Sequence, residues 1–258
     1  MPITVQLGSQ VSPKNAKKTV DELYRKVADR WDKKVNGAAF MMQFKEGKLP
    51  SKVLRLFFRN WGAYTIEVNT LVASSYHKHL SFFKRHRDLM APMGEKIADE
   101  FLHPEPPGHF LVMLRTAKAL GLTEEEIFNQ PMLSDFRGKI DFLRGVLYEG
   151  TVAEWYASIT TEEQIGHWSG ICYKALTEHY GFTREQATYF ATHAEADLIE
   201  HEGGVLAHAS FNRAALQRLL ESGTADERHT YGLEYCAMTS VDLHGAMLRS
   251  ALEEAERS

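Results

Sequence analysis

Residues 193–201 read His-Ala-Glu-Ala-Asp-Leu-Ile-Glu-His. Positions four apart on an α-helix drift by only about 40° around its axis, so His193, Asp197 and His201 fall in one stripe. Imidazole and carboxylate donors from a single helix suit iron, manganese or zinc. A solvated polar stripe has the same spacing, with Glu195, Glu200 and Glu202 adding only charge.

A second group lies in the run Ala98-Asp-Glu-Phe-Leu-His-Pro-Glu-Pro-Pro-Gly-His109. Glu100 closes one expected helix, the Pro-rich stretch reverses the chain, and His109 opens the next. Glu100 and His103 also satisfy Glu-x-x-His, the spacing that puts two ligands on one face in di-iron bundles. Third comes Glu149, which follows the apolar run Val146-Leu-Tyr148, with Glu154 close behind. An unpartnered carboxylate buried there would be costly, and metal coordination, a salt bridge or a surface position would each relieve it. Glu67, between Ile66 and Val68, reads first as a structural or supporting group.

Helices must position these residues. Ser12-Pro13 is a start signal, and Val20, Leu23, Val27 and Trp31 recur behind it at helical spacing. A short apolar helix is expected from Ala38 to Phe44. From Ser51 onward a wide apolar face runs through Phe57, Trp61, Tyr64 and Val72, so that helix should be buried on more than one side. Capping-box spacing marks Thr123 with Glu126, Thr161 with Gln164, Thr183 with Gln186 and Thr224 with Glu227. Gly181, Gly203-Gly204 and Gly223 fall where helices could stop or bend. Long alternating runs are missing. The expected fold class is all-α, a bundle of about seven or eight helices.

Composition narrows the partners. A chain of 258 residues without a linker signal reads as one domain, 1–258. The net charge of -4 and the lack of a basic block argue against nucleic acid. Two distant cysteines, Cys172 and Cys236, argue against a disulfide framework and for a reducing compartment. With no leader pattern and no apolar stretch of about 20 residues, no membrane partner is expected and a cytoplasmic location is.

The groups at Glu100–His109, Glu149 and His193–His201, taken in that order, resemble those of the haem-oxygenase-like di-iron oxidases and oxygenases, relatives of the TenA and PqqC folds. His109-Phe-Leu-Val-Met-Leu followed by Ala119-Leu-Gly-Leu122 looks like that family's histidine-led helix, which favours His109 over His103 or Glu105. Lys48-Leu-Pro-Ser-Lys-Val-Leu-Arg55 and Tyr148-Glu-Gly-Thr-Val-Ala-Glu-Trp155 are similar to segments of UndA-type fatty-acid decarboxylases. The resemblance covers about residues 38 to 205.

It implies two Fe(II) ions per chain held by Glu100, His109, Glu149, His193, Asp197 and His201, with O2 as co-substrate. The reaction it implies is oxidation of a small carboxylic acid, amine or amino acid, by C–C cleavage or decarboxylation, desaturation or N-oxygenation. Such a fold further implies self-association, most simply as a homodimer. Two departures leave alternatives open. His201 follows Asp197 by four residues where the family usually has three, which leaves Glu200 as a competitor. The interval from Glu149 to His193 is also longer than usual, which keeps Glu154 in play. Trp61, Tyr64, Tyr148 and Trp155 are candidate pocket lining, while His167, His179 and His208 read as ordinary polar or capping histidines. The rival readings are a metal-free PqqC- or TenA-like enzyme and a non-catalytic helical binding protein.

Overall fold

The computed structural model describes residues 11–199, 206–223 and 230–257, and every regular element among them is a helix. Helix α1 (Pro13–Trp31) starts at the Ser12-Pro13 signal, with the Ser12 hydroxyl accepting from the Asn15 amide at 3.4 Å. Its periodic residues Val20, Leu23, Val27 and Trp31 are all buried. A π-helical turn (Asp32–Asn36) leads into the short α2 (Ala39–Lys45).

The 28-residue α3 (Ser51–Lys78) runs for about 42 Å at 1.5 Å per residue. Then follow α4 (Leu80–Arg85), a 3-10 turn (Arg87–Leu89), α5 (Met90–Phe101), α6 (His109–Ala119), α7 (Glu124–Asn129), α8 (Ser134–Glu149) and α9 (Val152–Ser158). The chain ends with α10 (Glu162–His179), α11 (Thr188–Leu198), α12 (His208–Glu221) and α13 (Leu233–Arg257). There are more segments than the seven or eight expected. Breaks at His79, Gly150 and Ile159–Thr161 leave short pieces such as α4 and α9 where the pattern alone suggests longer rods.

Two helices organise the interior. α3 packs against α5, α6, α7, α8 and α13, so its wide apolar face is used on several sides. α13 in turn contacts α1, α2, α3, α8 and α9. One continuous core runs from Ala16 in α1 to Ala255 in α13. At its centre the His244 ring lies 4.6 Å from Trp31, 5.5 Å from Trp61 and 5.4 Å from Trp168, centroid to centroid. His244 is fully buried, and neither ring nitrogen has a hydrogen-bond partner among the described residues.

The capping spacings divide. Thr123 and Glu126 form the reciprocal box that starts α7. Thr183 and Gln186 exchange the same two bonds, at 2.9 and 3.1 Å, ahead of α11. Thr161 caps nothing with its side chain, because α10 begins there from a helical backbone rather than an extended one. Thr224, Glu227 and Gly203-Gly204 lie outside the described residues. A further box, Thr151 with Glu154, starts α9. Glu67 is structural, as first read: it accepts two bonds from Arg137, at 2.7 and 2.6 Å.

Candidate metal centre

The first cluster forms where α5 meets α6. Gly108, at φ +70°, brings the connecting loop back against the last turn of α5, where an added Cβ would sit 2.3 Å from the Glu100 carbonyl oxygen. Only glycine fits so close an approach. His109 is thereby placed beside Glu100, with Nδ1 3.1 Å from Oε2. From α11, the His193 ring comes within 4.4 Å of the His109 ring. Because a carbonyl oxygen can only accept, His193 Nδ1 must donate to Tyr189 O at 3.2 Å, which leaves Nε2 as the free lone pair. Donor atoms of Glu100, His109 and His193 all lie within 4.8 Å of one another.

Charge is tuned to match. Burial works against the Glu100 carboxylate, yet His109, then His193 and His208, outweigh it and hold its pKa down at about 2. Burial, followed by the neighbouring His109, pushes His193 down to about 3, so its imidazole is neutral at neutral pH, the form that binds metal.

The second cluster joins three helix ends. Glu162 is the first residue of α10, Asp197 sits in the last turn of α11, and His208 is the first residue of α12. Their donor atoms also lie within 4.8 Å of one another. Gly166 permits this: a Cβ there would meet Asp197 Cβ and Leu198 Cγ at 2.8 Å, so the crossing of α10 and α11 needs a bare backbone. Glu162 pairs with the buried Lys96 of α5 and accepts from Asn212 at 2.7 Å. His208 faces Asp197 through Nδ1 and Asp99 through Nε2, both at 3.1 Å. Burial opposes charge on His208, but these two carboxylates prevail and raise its pKa to about 9.

Both clusters border one cavity. Glu100, Glu162, His193 and Asp197 contribute to its wall, beside Trp61 and Tyr64. The cavity measures about 70 Å³, room for a few waters or a short-chain ligand. The clusters are also linked along the chain, since Asp99 adjoins Glu100 and His193 lies one turn before Asp197. Two buried atoms in them, His109 Nε2 and Asp197 Oδ2, have no hydrogen-bond partner among the described residues. Buried polar atoms are rarely left so, and a carboxylate-imidazole set with orphaned donors fits a hard or borderline metal such as iron.

Of the residues expected from sequence, Glu100, His109 and His193 come together, and Asp197 comes together with two others. Glu149 joins neither cluster. It is exposed at the end of α8, where the chain breaks at Gly150, and its carboxylate accepts from the Tyr231 hydroxyl at 3.1 Å. Glu154, its competitor, is fully buried but serves as a cap, accepting from the amides of Thr151, Tyr231 and Gly232 at 2.8, 2.5 and 2.6 Å. His103 and Glu105 are exposed. His201 and Glu200 lie outside the described residues. Trp61 and Tyr64 line the cavity, whereas Tyr148 is exposed and Trp155 is buried in the core.

Sequence reasoning missed Glu162 and His208. For Glu162 a signal existed: it shortens the overlong interval between Glu149 and His193, but Thr161-x-x-Gln164 reads as a cap. His208, eleven residues beyond Asp197, has no helical spacing to betray it.

No protein-family model and no curated protein matches the chain. Solved structures do. A domain with a haem-oxygenase-like fold from Shewanella denitrificans superposes with a TM-score of 0.69 at 17% identity, covering 92% of this chain and 93% of its own. A TenA homologue from Pseudomonas syringae pv. tomato gives 0.68 at 13%, covering 90% and 92%. A TenA homologue from P. horikoshii gives 0.60 at 15%, covering 90% and 97%. The chain thus has an all-helical, haem-oxygenase-like fold. Among the described residues stand two candidate metal-ligand clusters, Glu100–His109–His193 and Glu162–Asp197–His208.

Proposed function

We propose that the protein is a non-haem di-iron oxidase or oxygenase, with one iron held by Glu100, His109 and His193 and the other by Glu162, Asp197 and His208. The observation that carries this reading is the pairing of two largely buried carboxylate-imidazole clusters on one cavity, with His109 Nε2 and Asp197 Oδ2 lacking hydrogen-bond partners among the described residues. Glu162 and His208 take the places that the family resemblance gave to Glu149 and His201. Bound Fe(II) supplies the electrons that reduce O2. The protein's own residues bind and orient the substrate, exclude water and fix the ligands. Tyr189 fixes the His193 tautomer, and Asn212 orients the Glu162 carboxylate. The substrate is a small carboxylic acid, amine or amino acid, and UndA-type decarboxylation is one reaction in that range.

One observation favours a metal-free alternative. Lys96 and the charged His208 already offset two of the three negative charges of Glu162, Asp197 and Asp99, so the second cluster is largely compensated without a metal. A thiol-based enzyme is less well supported, since both cysteines are buried and burial raises both thiols, Cys236 to about 12.

Anaerobic Fe(II) titration of the metal-free protein decides between them. The di-iron reading expects about two irons per chain, followed by oxygen uptake when a substrate acid or amine is added. Failure to bind iron would discard it in favour of the metal-free enzyme.

A further inference from the structure

The cavity has a second chemical pole. Lys139 reaches it from α8, on a wall that α8 and α13 build against α3, whereas the cluster residues enter from α5, α10 and α11. Lys139 is 2% exposed. Its amino group donates to the Ser240 carbonyl at 2.7 Å and to the Ser240 hydroxyl, which leaves one of three N–H groups of the ammonium form unused. No carboxylate among the described residues pairs with it. Burial, with nothing opposing it, pushes its pKa down to about 7.

A buried cation without a counter-ion is costly, and this one borders space rather than packed side chains. Asn69, 4% exposed, borders the same space, and its side-chain amide makes no hydrogen bond among the described residues. The remaining wall is largely apolar, with Val68, Val72, Leu143, Ile159 and Ile165. A negative charge at one end and a hydrocarbon body are what such a cavity lacks.

We infer that Lys139, assisted by Asn69, captures the carboxylate of a small aliphatic acid, so that the acid's opposite end faces Glu100, Glu162, His193 and Asp197. The inference rests on the oxidase reading only for what happens at that opposite end, because carboxylate capture needs no iron. Within that reading it narrows the substrate class to acids that offer the cluster a remote C–H bond or amine, with the carboxyl group kept away from it.

The test is calorimetric titration of hexanoate and of 1-hexanol into iron-free and anaerobic Fe(II)-loaded protein, for the wild type and Lys139→Met. Hexanoate should bind the wild type at least about tenfold more tightly than hexanol, with or without iron. Lys139→Met should weaken hexanoate by about tenfold or more and leave hexanol unchanged, the loss expected for a hydrogen bond to a charged group. Hexanoate affinity that survives Lys139→Met, or that appears only with iron, would overturn the inference, as would equal affinity for acid and alcohol in the wild type.

Methionine removes an uncompensated buried charge at similar length, so the variant should fold, and its helical circular dichroism checks this. Should it not fold, a crystal structure of the wild type with hexanoate decides. A carboxylate within hydrogen-bond reach of Lys139 Nζ supports the inference, and a carboxylate at His193, or none in the cavity, overturns it. Because iron stoichiometry is measured separately, failure of the di-iron reading leaves this test intact.

Discussion

An imidazole that faces a carboxylate on each side and has its pKa raised to about 9 donates from both nitrogens, and His208 stands in that position between Asp197 and Asp99. A metal can take His208 only by displacing one of those protons, so ligation there is an exchange of one cation for another. Under the di-iron reading, His208→Ala and Glu162→Gln each lower bound iron to about one per chain, whereas Glu149→Gln leaves it unchanged, as measured by elemental analysis after anaerobic loading. Glu149 is thus the control that separates the structural site from the spacing-based one. His244 makes a different point. Burial, aided by Lys139, holds its pKa well below the ordinary 6.5. The unfolded chain therefore takes up a proton there that the folded chain refuses. Stability is full above pH 6.5 and falls as pH drops below it, by up to about 1.4 kcal/mol per pH unit for this group. His244→Phe should flatten that fall in denaturant titrations at pH 5 to 7 and raise the melting temperature, since two unpartnered nitrogens leave the tryptophan cage. At this scale the helix-periodic residues are the legible ones. His193 and Asp197 declare themselves by a spacing of four, while Glu162 and His208 belong to helix starts that only the tertiary fold brings opposite Asp197.

Elements carry the site through their ends. Gly108→Ala would put a side chain into the Glu100 carbonyl and into a backbone conformation reserved for glycine, costing about 1–3 kcal/mol from backbone strain alone. The expected outcome is a lower melting temperature together with weakened iron binding at the Glu100–His109 pair. Thr151→Ala removes the cap of α9 and should cost about 1 kcal/mol in denaturant unfolding without changing iron content. A loss of iron in that variant would return Glu154 and its surroundings to the list of ligand candidates. The helices were readable because local chemistry starts them: Ser12-Pro13 and Thr123–Glu126 work as their spacing implies, whereas Thr183–Gln186 closes a turn ahead of α11 rather than capping it. The number of segments was not readable. Breaks at His79 and Gly150 follow from how long rods turn to cover a core, and a period of 3.6 continues across them.

As a whole molecule, the chain shares one core from α1 to α13, so the metal-free protein should melt in a single calorimetric transition. Fe(II) at about a hundredfold its dissociation constant should then add about 2.7 kcal/mol, an upward shift of roughly 5–10 °C for a protein of this size. Two separated transitions would refute the single unit. The fold class was legible in the sequence through helical periodicity and missing alternation, and the superpositions bear it out at 13–17% identity.

The rings around His244 have one more consequence. Trp61 donates its indole N–H to the Tyr189 hydroxyl at 3.0 Å, and the Tyr189 ring lies 4.3 Å from that of His193. Trp168 adjoins Trp61 at 5.3 Å, and Trp31 closes the group through His244. Three of the four tryptophans thus sit within a few rings of the place where iron would bind, while Trp155 stands outside that group. Ultraviolet emission from this protein should dim as iron is added and recover on chelation, so the chain carries its own optical gauge of metal occupancy.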